Sequence, residues 1–214
     1  MTGDRAIATH AALSQFGLAV LAFYALLWGA QLLLPGSAAA GAVLVSAALG
    51  GAALTRPGWN LQPTRIGRYV LALLVLLLAS AAAAAAFLRL LEIANPYGAS
   101  SRNLLGVLPA IVLLTGMEEL LFRQVMFRWL ERRAVPPRTI VAATAAGFGL
   151  AHLGAMFGPL AVGWAFHLSQ SLYLIWIGLL LGELRRTSGS WLVSWIAHAG
   201  YNAAVLVFLA VQLA

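Results

Sequence analysis

Seven long apolar runs dominate this chain, and they constrain its fold more than any other feature. They cover roughly residues 13–34, 38–54, 69–91, 104–130, 139–154, 160–184 and 190–212. A helix needs about 20 apolar residues to cross about 30 Å of hydrocarbon, and several runs exceed that. Inside lipid every backbone donor and acceptor must be satisfied within the segment, so runs of this length are read as helices. The second and fifth runs are short and are expected to be tilted, partly buried or re-entrant. Pro35, Pro57, Pro96, Pro136 and Pro137 fall between runs, where proline stops a helix. Trp28, Trp59, Trp129 and Trp191 fall near run ends and read as interfacial anchors. The expected fold class is all-α, a polytopic transmembrane bundle of about seven membrane helices.

Composition agrees. The chain is 62% hydrophobic and 9% charged, against about 45–50% and about 25% for a soluble domain. Its net charge is +7, and every Lys or Arg position is arginine. Ten arginines fall at one set of run ends: Arg5, Arg56, Arg65, Arg68, Arg128, Arg132, Arg133, Arg138, Arg185 and Arg186. Only Arg89 and Arg102 fall at the other. This bias places the N-terminus in the cytoplasm and the C-terminus outside. It does not read as a nucleic-acid surface, which needs a contiguous exposed basic patch. The arginine- and alanine-rich usage points to a high-GC bacterium and its inner membrane. Cysteine is absent, which excludes disulfides, thiolate metal sites and cysteine nucleophiles.

Arg123 is the arginine left over. It lies inside the fourth run, in GMEELLFRQ, with Glu118 and Glu119. The two acids lie about 18 Å from the arginine-rich end at about 1.5 Å per residue. Charged groups at mid-membrane are costly, and a functional site is their default explanation. At about 100° per residue, Glu119 and Arg123 share a face as an i, i+4 pair, whereas Glu118 points about 140° away from Arg123. Glu119 therefore has an in-helix partner and reads as structural support; Glu118 has none. Two more runs carry polar groups at similar depth. GFGLAH holds Phe148 and His152, and HAGYN holds His198 and Asn202, both at i, i+4. A carboxylate and an imidazole on neighbouring helices can hold and deprotonate a water. An imidazole and a carboxamide can donate to a developing oxyanion. No HExxH or GxSxG motif is present, so neither a zinc-protease helix nor a serine elbow is expected. Glu118, His152 and His198 offer a possible ligand set for a divalent metal such as zinc. The residues leave a metal-free and a metal-assisted hydrolysis equally open.

EELLFR, FGLAH and HAGYN match EExxxR, FxxxH and HxxxN. In that order and spacing they resemble the CPBP family of intramembrane proteases, also called Abi or CAAX-protease-like. The resemblance covers residues 104–212 and divides the chain into N-terminal helices (1–103), with a possible role in substrate selection, and a catalytic core (104–214). It implies membrane helices around a polar intramembrane cavity, with Glu118 as the water-activating base and His152 as its partner. It implies His198 and Asn202 as the oxyanion site, with Glu119, Arg123 and Phe148 in support. The implied activity is hydrolysis of a peptide bond in a membrane-associated protein or peptide, with the lipid bilayer as surroundings and no nucleic-acid partner. The alternative is a non-catalytic binding or bacteriocin-immunity protein of the same fold. A proton-coupled transporter is a third class, against which no inverted repeat is visible. His167, Gln170 and Ser171 form a further polar stripe, expected to be interhelical hydrogen bonding. Glu183, Arg185 and Arg186 are expected to form an interfacial cluster. Oligomeric state is not constrained.

Overall fold

A computed structural model describes residues 2–33, 37–55, 62–90, 104–153 and 164–212. Among the described residues there are seven helices and no strand. They are α1 (Thr2–Leu33), α2 (Ser37–Thr55), α3 (Arg68–Leu90), α4, α5 (Pro137–Ala151), α6 (Trp164–Ser188) and α7 (Trp191–Gln212). The fourth is continuous through three parts: α-helical Leu104–Glu119, π-helical Leu120–Met126 and α-helical Phe127–Glu131. Each apolar run of the sequence thus becomes one helix. Four windows are long and apolar enough to cross a membrane: Ala6–Leu26, Arg68–Leu88, Ala165–Ser188 and Trp191–Phe208. Pro35, Pro57, Pro96, Trp59, Arg56 and Arg102 lie outside the described set, as do the side chains of Trp28, Arg5 and Arg89.

Two apolar cores hold the bundle. In the first, Phe16, Val20, Phe23 and Tyr24 of α1 and Ala48 and Ala52 of α2 pack on Leu121, Phe122 and Val125 of the π segment. In the second, Val70, Leu73, Leu77, Ala81 and Ala85 of α3 pack on Ile177, Leu181, Tyr201 and Val205 of α6 and α7. The alanine run of α3 presents small residues to its neighbours, which permits close approach where lipid supplies no hydrophobic drive for helix pairing. Exposed Leu71, Val75 and Leu78 on its other face are suited to lipid.

The tightest packing is between α5 and α6, and glycine makes it possible. A Cβ on Gly149 would stand 2.4 Å from Ile175 Cγ1 and 2.7 Å from the Ser171 carbonyl oxygen. One on Gly178 would stand 3.0 Å from Ala145 Cα. Between α6 and α7 the chain turns at Gly189, whose φ of +75° is a left-handed conformation that glycine adopts without strain. Thr64 locks that turn to the segment before α3, donating to the Ser188 carbonyl from its backbone N–H (2.7 Å) and from its hydroxyl (2.9 Å).

Two expectations fail here. Trp191 is buried and stacked on Trp195, with ring centroids 5.6 Å apart, rather than anchored at an interface. Arg185 is not part of a surface cluster. Glu183 pairs with Arg186 at the surface, with Arg186 Nε 2.7 Å from its carboxylate, while Arg185 turns inward and is buried. The reason is a partner: Arg185 Nε donates 3.0 Å to the Arg123 carbonyl of the π segment, and its guanidinium lies 5.2 Å from the Phe127 ring.

Gly149→Ala is expected to destabilise the protein by about 1–3 kcal/mol, the usual range for overpacking, because backbone atoms block relief. Thermal unfolding in detergent micelles measures it; an unchanged midpoint would mean that α5 and α6 are not held this closely.

Candidate active site

The three motifs converge on one cavity of about 690 Å³. Glu118 from α4, Phe148 and His152 from α5, and His198 and Asn202 from α7 all line it. Helix geometry divides the adjacent acids. The Glu118 side chain is 23% exposed, toward the cavity, and Glu119 is 0% exposed, behind it. His152 follows the last residue of α5, so its ring stands at a helix end. Its Nδ1–H donates 2.9 Å to the Phe148 carbonyl, leaving Nε2 as the ring nitrogen available for chemistry.

Glu119 organises the buried side. Its Oε1 accepts from His198 Nδ1–H at 2.9 Å and lies 3.3 Å from Arg123 Nη1. The Arg123 contact is an ion pair without an aligned hydrogen bond, since Nη1 and Nε make none, and Arg123 is anchored instead by Nη2 donating 3.2 Å to the Gly178 carbonyl of α6. With Nδ1 committed to Glu119, His198 turns Nε2 toward Glu118 Oε2, at 3.8 Å. Carboxylate, imidazole and second carboxylate thus form a chain from the protein interior to the cavity wall.

Phe148 is the hub of this arrangement. Its face lies 4.6 Å from the Arg123 guanidinium carbon, a cation–π contact. The rings of His152 and His198 meet it edge-on, with centroids at 5.0 and 5.5 Å. One aromatic ring therefore fixes both imidazoles and the buried cation.

The cavity does not fit the metal-ligand set considered from sequence. Among the described residues no three His, Asp or Glu side chains converge as a metal site. His198 and His152 both donate Nδ1–H to protein acceptors, which leaves Nε2 on each, but as placed these nitrogens do not converge with Glu118 as a metal site.

Residues 100–204 match the family model described as type II CAAX prenyl endopeptidase Rce1-like. This half of the chain belongs to the Rce1-like family. The match spans all three motifs and agrees with the CPBP resemblance. The family is one of proteases, and the apolar helices make the chain an integral membrane protein. No curated protein and no solved structure gives a significant match.

The Rce1-like half does not supply every residue around the site. Tyr24 of α1, which no motif marks, donates its hydroxyl to the Gly147 carbonyl of α5, five residues before His152. Its only sequence signal was a phenol inside an apolar run. Ala83, Ala84, Phe87 and Leu88 of α3 form one cavity wall. Of the α6 stripe, Gln170 lines the cavity, while His167 and Ser171 are buried and make no side-chain hydrogen bond among the described residues. Interhelical hydrogen bonding was therefore the wrong expectation for that pair.

Arg123→Ala leaves the Glu119 carboxylate buried without its cation and is expected to lower stability by about 3–5 kcal/mol. Chemical unfolding in micelles measures it. A loss below about 1 kcal/mol would show that this ion pair carries no structural weight.

Proposed function

We propose that the protein is an intramembrane endopeptidase that hydrolyses a peptide bond in a membrane-associated protein or peptide, using water activated by Glu118. The observation that carries the reading is the pairing of Glu118, open to the cavity, with His198 Nε2 at 3.8 Å. The membership of residues 100–204 in a protease family supports it.

In this mechanism a water lodges between Glu118 and the substrate carbonyl. Glu118 takes its proton as the oxygen attacks the carbonyl carbon. The negative charge that develops on the carbonyl oxygen is met by donors at the cavity wall, His198 and the Asn202 carboxamide. Donation from Nε2 requires a ring that carries a proton on both nitrogens, with Nδ1–H held by Glu119. The C–N bond then breaks, and the proton held by Glu118 passes to the leaving amine, with His152 as its partner in the transfer. The products are a new carboxylate and a new amine, and no covalent enzyme intermediate forms. Glu119, Arg123 and Phe148 act by holding His198 and His152 in register. The apolar α3 wall selects the flanking substrate residues. Since the matched family is named for prenylated CAAX chains, a substrate carrying a long apolar group is compatible with this wall.

Glu118→Gln and His152→Ala are expected to insert and fold normally while losing about 10²–10⁴-fold in cleavage, the usual contribution of acid–base catalysis. Comparative membrane proteomics of the native host, wild type against deletion against Glu118→Gln, is the measurement. Loss of a truncated species in both altered strains identifies a protease and its substrate. A Glu118→Gln strain that behaves as wild type, beside a deletion that does not, would move the non-catalytic binding reading to first place.

A further inference from the structure

The cavity and the arginines occupy opposite ends of the bundle. Arg68 opens α3, Arg128 lies in the last turn of α4 with Arg132 and Arg133 in the turn after it, Arg138 is in the first turn of α5 and Arg186 in the last turn of α6. The Thr64–Ser188 contacts tie the start of α3 to the end of α6, so these termini share one end. The cavity draws on the other half of each helix: Phe87 late in α3, Ala110 and Leu114 early in α4, His152 after α5, Ser169 early in α6. Among the described residues no arginine lines it. The arginine-rich end marks the cytoplasmic side by the positive-inside rule. The catalytic groups are therefore reached from the half of the bilayer that faces away from the cytoplasm.

The lining narrows what enters. Ala83, Phe87, Ile111, Leu114 and Val205 form apolar walls, and Glu118 is the only acidic side chain among the described lining residues. Apart from Glu118, which the mechanism occupies, a charged residue beside the scissile bond would meet no opposite charge among the described lining residues. We propose that the substrate is an uncharged, apolar segment of a membrane-inserted polypeptide, presented from the non-cytoplasmic half of the bilayer. A cytoplasmic tail would have to pass the arginine-rich end to reach Glu118. The substrate assignment rests on the peptidase reading; the orientation does not.

The absence of cysteine allows a clean test. Single variants Ser169→Cys and Phe87→Cys report the cavity from two different helices, and Gln62→Cys reports the arginine-rich end. Each full-length protein is treated with a membrane-impermeant maleimide in intact spheroplasts and in inverted vesicles. The expected result is labelling of both cavity cysteines in spheroplasts but not of Gln62→Cys, with the order reversed in inverted vesicles. Labelling of the cavity cysteines only in inverted vesicles, or in neither preparation, overturns the orientation. In the same membranes, chain termini that depend on Glu118 should map to apolar segments on the non-cytoplasmic side of their proteins; termini in cytoplasmic tails overturn the substrate class. Expected labelling with no Glu118-dependent terminus would reject the peptidase reading, and the substrate class with it, while the orientation stands.

Discussion

A carboxylate with no exposure to solvent, Glu119, sets the geometry of the C-terminal helices. An ion this deep is tolerated only with close partners. Arg123 supplies the charge from one turn along α4, and His198 supplies the hydrogen bond from α7. Each partner recruits the next element. Arg123 reaches the Gly178 carbonyl of α6, and Arg185 of α6 returns to the Arg123 carbonyl. Phe148 of α5 covers the guanidinium. Four helices are thereby fixed around one buried charge, and the cavity residues inherit their positions from it.

That network was partly legible in the residues. The seven apolar runs and the seven helices correspond because the lipid requirement acts on each segment alone. The split between Glu118 and Glu119 follows from helical periodicity, which needs no tertiary knowledge. What stayed hidden depends on contacts between distant segments. That Nδ1 of His198 belongs to Glu119 cannot be read from spacing, because 79 residues separate them. Arg185 beside Arg186 looks interfacial, and only the carbonyl offered by the π segment distinguishes the two. Tyr24 had no pattern at all, since its partner is a backbone carbonyl 123 residues away. The metal question was open in sequence because ligand type does not specify convergence.

The π segment Leu120–Met126 is the second device that sequence concealed. Its i→i+5 pattern is rare, and π-helical turns concentrate at functional sites. Here it begins directly after Glu119 and contains Arg123. All but one of its seven residues are buried, and α1 and α2 pack against it. The N-terminal helices, which carry no motif, therefore brace the part of α4 whose hydrogen-bond pattern is least regular. Their contribution to the site runs through this support, and that of α3 through the cavity wall.

The adjacency of Glu118 and Glu119 gives the arrangement its logic. One position is committed to structure: Glu119 is satisfied, buried and shielded from water. The next is left with a partly exposed carboxylate facing an imidazole at 3.8 Å. Because His198 meets both acids through its two nitrogens, any movement of the structural acid is passed to the imidazole that faces the acid at the cavity. Preorganised donors act strongly only when they need not reorient as charge develops. A ring tethered at Nδ1 and held by Phe148 at its edge satisfies that condition. The stability of the buried pair and the chemistry of the cavity are therefore one problem, solved by placing two carboxylates one residue apart on the same helix.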